Sequence, residues 1–146
     1  MKVIFLDIDG VLNNTSSMHE GVHLLPEKCL LIDSLCNDTG AVIVVSSTWR
    51  LCYDIKILET LLWRSGISST NIIDVTPDIP NKGSIRGMEI EKWLSETKEN
   101  IESFVILDDD SDFFHHQTPL FVKIDRDAGI TRRNCEQAKK ILNVDC

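Results

Sequence analysis

The sequence predicts an α/β domain of three layers, with a parallel sheet of about five strands between two layers of helices. Two observations carry this prediction. Strand-like and helix-like stretches alternate along the chain, and polar residues directly follow three of the strands. Such alternation is typical of parallel sheets covered by helices on both faces. The predicted strands are 2–8, 41–45, 71–75, 103–107 and 120–124, and the predicted helices are 26–38, 54–65, 84–98 and 131–142.

The individual stretches carry the local signals that these elements need. "AVIVV" at 41–45 is a continuous apolar run, as expected of a strand that is buried on both faces. Pro26 suits the first position of a helix, and Thr131 suits the N-cap of the last helix. Gly40 and Gly66 each follow a predicted helix and are typical stop signals.

Composition sets the broad class. With 146 residues, we expect one domain over 1–146, and no apolar run approaches the about 20 residues of a membrane span. The start lacks the pattern of a secretory signal, and the five cysteines are scattered without a CxxC pair, so we expect reduced thiols and a cytoplasmic protein. The net charge of −8 argues against strong non-specific binding to nucleic acid but leaves room for a local basic patch.

The first candidate site is "DIDG", which ends the first strand. Asp7 and Asp9 would face the same side of a strand, although Gly10 indicates that the chain turns there. A carboxylate at a strand end can act as a nucleophile or metal ligand, and a second one can protonate a leaving group. A pair of solvated acids is the alternative.

Two weaker motifs offer groups that bind phosphate. In "VVSSTWR", the hydroxyls of Ser46 and Ser47 could donate to phosphate oxygens, although Ser47 or Thr48 could instead cap the following helix. Lys82 lies in a loop before a helix, where it could neutralise a phosphate or be an ordinary surface lysine. Arg86 competes with Lys82 for the same role.

The last motif is "VILDDDSDF", in which Asp108 and Asp109 follow a strand and Asp112 comes shortly after. Carboxylates this close repel one another unless a cation or solvent relieves the repulsion, and hard cations such as Mg²⁺ prefer oxygen ligands. An EF-hand loop does not fit, because the required Gly and closing Glu are absent. An acidic helix start is the alternative.

Together these motifs resemble those of the haloacid dehalogenase (HAD) superfamily, in the expected order and each after a strand. "SSTWR", "RGMEIEKWL", "VILDDDSDF" and "KIDRDAGIT" also resemble the narrower group of HAD domains found in RNA-repair proteins of the Swiss-army-knife type. The resemblance implies a Rossmann-like α/β/α fold. The superfamily's caps do not fit here, since only about 15 residues, 11–25, remain for a short flap.

The resemblance also implies a chemistry. Asp7 would attack phosphorus and form an aspartyl-phosphate, while Asp9 would act as general acid and base. Mg²⁺ would be held by Asp7, the backbone carbonyl of Asp9, and Asp108, with Asp109 or Asp112 in support. Ser46, Ser47 and Lys82 would hold the phosphoryl oxygens.

An uncapped site favours a phosphate carried by a large substrate, such as a nucleic acid end, over a small metabolite. The alternatives are a small-metabolite or nucleotide phosphatase, a phosphotransferase, and a non-catalytic phosphate-binding module. Which end of a nucleic acid is preferred is left open. The basic residues that could form a rim for such a substrate are Lys123, Arg126, Arg132 and Arg133.

Overall fold

The computed structural model describes residues 1–80 and 85–143, and its centre is a five-stranded sheet in which each strand pairs in parallel with its neighbours. The strands are β1 (Lys2–Leu6), β2 (Val42–Val45), β3 (Ile72–Val75), β4 (Ser103–Asp108) and β5 (Phe121–Lys123). Their order across the sheet is β3-β2-β1-β4-β5. The predicted α/β class and strand number are confirmed.

The described residues contain the four predicted helices and two short ones, Thr15–His19 and Trp49–Cys52. The short helices were not predicted because a helix of about one turn is too short to show a hydrophobic period. Two 3₁₀ turns, at Ser69–Asn71 and His115–Leu120, precede β3 and β5. The helices are α1 (Thr15–His19), α2 (Pro26–Thr39), α3 (Trp49–Cys52), α4 (Ile55–Ser65), α5 (Arg86–Glu96) and α6 (Arg132–Leu142).

The helix ends follow the predicted signals. Pro26 is the first residue of α2, and Gly40 ends that helix in the left-handed conformation, with φ of 74°. The Thr131 hydroxyl accepts a hydrogen bond from the Asn134 amide at 3.2 Å and so caps α6. These ends are local because each depends on residues within one turn.

Alternating side chains of β1 build the two cores. Ile4 and Leu6 pack with residues of α2, α4 and α6 on one face of the sheet. On the other face, Val3 and Phe5 pack against α5, where the rings of Phe5 and Trp93 meet edge to face with centroids 5.5 Å apart. Helices on both faces leave the strand ends as the open edge of the sheet.

No cap domain is inserted among the described residues. The 11–25 flap contains only α1 and is tied down at both ends: the Leu25 amide donates to the Leu12 carbonyl at 2.9 Å, and the Thr15 amide donates to the Arg126 carbonyl at 3.2 Å. Within the described part of the chain, no helix is long and apolar enough to cross a membrane.

Candidate active site

Three polar residues that directly follow β1, β2 and β3 form backbone hydrogen bonds with the neighbouring strand, which places them side by side at one edge of the sheet. The Asp7 amide donates to the Leu107 carbonyl at 3.0 Å, the Ser46 amide to the Leu6 carbonyl at 2.9 Å, and the Thr76 amide to the Val45 carbonyl at 3.0 Å. Each residue thus extends the ladder by one position beyond its strand. The side chains of these residues therefore gather at the carboxyl edge of the sheet.

An acid cluster stands at the middle of this edge. Asp7, Asp108 and Asp109 each offer a carboxylate oxygen, and these oxygens lie within 4.8 Å of one another. Asp7 is 4% exposed and Asp108 is fully buried. Hard carboxylate oxygens converging in this way fit a divalent cation such as Mg²⁺.

Burial and mutual repulsion disfavour the ionised forms of Asp7 and Asp108. Burial, and then the charge of Asp108, raise the pKa of Asp7 to about 9, although Arg86 lowers it. Burial also raises the pKa of Asp108, to about 6, against the opposing effect of Arg86. A cation at the cluster would favour the ionised carboxylates, so the donor set and its environment both fit a metal ion.

Arg86 supplies positive charge at the cluster. Its guanidinium lies 3.2 Å from Asp7 Oδ1 and forms an ion pair with Asp108. Burial alone would lower the pKa of Arg86, but the two carboxylates outweigh it and raise that pKa. Lys82, the competing base, lies outside the described residues.

Asp112 turns away from the cluster to the start of α5. Its Oδ2 accepts a hydrogen bond from the Arg86 amide at 3.0 Å, while Asp109 is the residue that joins Asp7 and Asp108. Asp112 thus contacts the start of a helix that precedes it in the chain, and Asp109 is the better candidate of the two for a metal ligand.

Asp9 is oriented by two donors that the sequence did not indicate. Asn13 Nδ2 at 3.0 Å and Trp49 Nε1 at 3.1 Å both donate to Asp9 Oδ1. Asn13 is fully buried, and its Oδ1 accepts from the Gly10 amide at 2.8 Å. Asn13 thereby fixes both the turn after Asp9 and the side chain of Asp9. The only sequence feature that could have indicated this role is the position of Asn13, three residues after Gly10.

The hydroxyls at the edge divide into two kinds. Ser47 Oγ accepts a hydrogen bond from the Trp49 amide, the first of α3, at 3.2 Å, whereas the N-cap residue of that helix is Thr48, whose side chain makes no capping hydrogen bond. Ser46 Oγ and Thr76 Oγ1 are buried and meet no hydrogen-bond partner among the described residues. Thr76, which directly follows β3, was not among the predicted site residues.

Arg50 is engaged by the protein itself. It forms a buried ion pair with Glu89, and its Nε donates to the Thr76 carbonyl at 2.8 Å. Its Nη1 donates to the Ser47 carbonyl at 2.9 Å. Arg50 thus fastens the ends of β2 and β3 to α5.

Two of the four basic residues predicted for a rim, Lys123 and Arg126, lie on the β5 side of the cluster, whereas Arg132 and Arg133 begin α6. Lys123 and Arg126 are exposed and line an open pocket of about 370 Å³ together with Asp109. Arg126 Nε lies 3.4 Å from Asp109 Oδ2. Two exposed basic side chains therefore border the acid cluster on this side, in a pocket that Asp125 also lines.

Comparison with known proteins agrees with the geometry. Residues 3–135 match the family described as the HAD domain in Swiss Army Knife RNA repair proteins. That range contains the motifs at Asp7, Ser46 and Asp108. Searches of curated proteins and of solved structures found no significant match. The chain belongs to the family of HAD domains found in Swiss Army Knife RNA repair proteins.

Proposed function

We propose that this domain, over 1–146, is a Mg²⁺-dependent phosphomonoesterase that acts through an aspartyl-phosphate on a phosphate carried by a nucleic acid end. The observation that carries the proposal is the convergence of Asp7, Asp108 and Asp109 beside Asp9 at one edge of the sheet. Membership of a HAD family supports phosphohydrolase chemistry in general.

Asp7 is the proposed nucleophile. Its carboxylate attacks phosphorus, the bond from phosphorus to the leaving oxygen breaks, and an aspartyl-phosphate forms. Asp7 must be ionised to attack, and its burial opposes ionisation. Positive charge from Arg86 favours the ionised form, which is why the ion pair matters for the reaction.

Asp9 is the proposed general acid and base. It gives a proton to the leaving oxygen in the first step and takes one from the attacking water in the second, which releases inorganic phosphate and restores Asp7. Asn13 and Trp49 both hold Oδ1, and no described residue donates to Oδ2. Oδ2 is therefore the oxygen proposed to carry the proton.

The remaining residues would hold the metal and the phosphoryl group. Asp7, the carbonyl of Asp9, Asp108 and Asp109 would bind Mg²⁺, which supplies Lewis-acid stabilisation of the phosphoryl oxygens. The buried Ser46 hydroxyl, unpartnered among the described residues, suits a phosphoryl oxygen. We propose Ser47 and Lys82 as further phosphate ligands, with Arg86 as the alternative to Lys82.

Three observations support a large substrate. The described residues contain no cap that would enclose a small molecule, and the family is named for RNA repair proteins. The exposed Lys123 and Arg126 beside Asp109 could meet a phosphate backbone. We therefore expect a higher kcat/KM for phosphorylated oligonucleotide ends than for sugar phosphates or mononucleotides, and activity that falls as salt rises.

The test is phosphate release with Mg²⁺ from small phosphomonoesters, mononucleotides, and oligonucleotides bearing 3′ or 5′ phosphates. Asp7→Asn should lower turnover by several orders of magnitude, whereas Asp110→Asn, which changes an exposed acid nearby, should not. Near-native turnover in folded Asp7→Asn protein would refute the covalent mechanism. A salt-insensitive preference for a sugar phosphate would refute the substrate, and transfer to an added alcohol in place of phosphate release would indicate a phosphotransferase.

A further inference from the structure

The proposed acid identifies the side of the site on which the leaving group lies. Asp9 must reach the leaving oxygen to protonate it, so whatever that oxygen carries lies beside Asp9. Because Oδ1 is held by Asn13 and Trp49, the approach is to Oδ2. The surface around Asp9 should therefore match the chemistry of the leaving alcohol.

That surface is an open pocket of about 500 Å³ on the β2 side of the cluster. This volume lies in the range of pockets that bind small organic groups. We call it the Trp49 pocket. Its lining includes Asp9, Met18, His23, Trp49, Leu51 and Tyr53.

The Trp49 pocket exposes apolar and aromatic surface. Leu51 is 55% exposed, Tyr53 42% and Met18 38%. The rings of Trp49 and Tyr53 have centroids 5.9 Å apart and planes inclined by 54°, so the two rings are not stacked face to face. Clustered exposed apolar side chains beside a catalytic group mark a binding surface for an apolar, flat partner.

The charge pattern separates the two sides of the site. The residues lining the Trp49 pocket include no Lys or Arg, whereas Lys123 and Arg126 lie on the β5 side beside Asp109. β2 and β5 lie on opposite sides of β1 in the sheet. The Trp49 pocket therefore suits an uncharged part of the substrate. Further phosphate groups of the substrate would bind the basic side chains on the β5 side.

We infer that the Trp49 pocket binds the nucleobase of the terminal nucleoside whose phosphate is removed, with Tyr53 and Trp49 as its aromatic contacts. The inference rests on the proposed function, since it takes Asp9 as the acid. Every base has an aromatic face that can stack on these rings. Stacking would therefore contribute affinity for the substrate end whichever base it carries.

The first test compares a short RNA oligonucleotide with a terminal phosphate and the same oligonucleotide whose terminal residue lacks its base. The phosphate is placed at whichever end supports faster release. Loss of the base should lower kcat/KM about tenfold, which corresponds to about 1.4 kcal/mol of stacking. Tyr53→Ala should lower kcat/KM for the intact end by a similar factor and for the abasic end by clearly less.

Two variants separate stacking from other effects. Trp49→Phe keeps an aromatic ring but removes the donor to Asp9, so it should lower kcat for the intact and abasic ends alike. Trp63→Phe is the matched control, since Trp63 is 61% exposed and does not line the Trp49 pocket. It should leave both substrates unchanged.

A binding measurement keeps the inference independent of turnover. Adenosine titrated into Trp63→Phe protein should quench tryptophan fluorescence in a saturable way, ribose should not, and Tyr53→Ala should weaken the adenosine response. If no substrate is hydrolysed but adenosine still binds in this way, the proposed function fails, and of the inference only the binding of a base by the pocket stands. Equal hydrolysis of intact and abasic ends, or no saturable response to adenosine, would overturn the assignment.

Discussion

The carboxylate of Asp109 lies against Gly10, in the space that a β-carbon on any other residue would fill. Gly10 has φ of 83°, a conformation that residues with side chains rarely adopt. The glycine of the first motif thus makes room for an acid of the last motif, about a hundred positions away in the chain. Position 10 is restricted twice, by its backbone and by its neighbour.

Gly10→Ala should therefore both destabilise the protein and displace Asp109. We expect the free energy of unfolding to fall by about 3 kcal/mol, from the backbone strain and the overlap together. The Mg²⁺-induced rise in melting temperature should also become smaller. Gly21→Ala is the matched control, because Gly21 has φ of 79° but open space around it. It should cost about 1 kcal/mol and keep the Mg²⁺ response. Equal effects of the two variants would contradict the steric role of Asp109.

Mg²⁺ should stabilise the protein by binding the native acid cluster. At a concentration ten times its dissociation constant, the gain is about 1.4 kcal/mol, or several degrees in melting temperature for a domain of this size. Asp108→Asn removes a ligand and should abolish most of this shift. Asp110→Asn removes the same charge from an exposed neighbour and should preserve it. The measurement is the melting temperature of each variant with and without Mg²⁺. An unchanged Mg²⁺-induced shift in Asp108→Asn protein would mean that the metal binds elsewhere.

Without metal, the contribution of Asp7 to the free energy of unfolding should fall as pH rises. Burial raises the pKa of Asp7 from 3.8 to about 9 in the folded state. Between these values the native state holds a proton that the unfolded state has lost, so the slope of the unfolding free energy against pH is negative. The contribution is fully present below about pH 4 and is lost as pH passes through about 9.

Chemical denaturation from pH 5 to pH 9 in a chelator measures this effect. The difference in unfolding free energy between Asp7→Asn and the native sequence should move in favour of the variant as pH rises, because Asn does not titrate. Added Mg²⁺ should flatten the dependence, since the metal favours the ionised carboxylates. A difference that stays constant across this range would mean that Asp7 ionises normally in the folded protein.

The ion pair of Arg50 and Glu89 should contribute more to stability than an exposed pair. The side chains are 3% and 12% exposed, and Arg50→Ala would leave the Glu89 carboxylate without its cation. We expect a loss of about 3 kcal/mol. Lys92 and Glu96 form the matched control, 3.3 Å apart on the same helix as Glu89 and largely exposed. Lys92→Ala should cost less than about 0.5 kcal/mol. Similar losses in the two variants would show that burial does not strengthen the Arg50 pair.

The sequence alone determined the features that depend on neighbouring residues. The apolar run at 41–45 and the helix of Pro26–Thr39 rest on local composition and on start and stop residues, and both were predicted closely. The convergence of Asp7, Ser46 and Asp108 was also predictable, because the ends of parallel strands share one edge of a sheet. Family membership followed from the same motifs.

Only the tertiary structure decided which side chains meet. The strand order places Trp49 against Asp9, 40 positions apart, and brings Arg86 between Asp7 and Asp108. Such contacts depend on strand order, register and the path of the loops. The spacing of apolar residues along the chain indicates helices and strands but not how they are arranged. The orientation of Asp9 by Asn13, and the fit of Asp109 over Gly10, arise for the same reason. Local chemistry thus selects the elements, and long-range packing selects the pairs of atoms that can react.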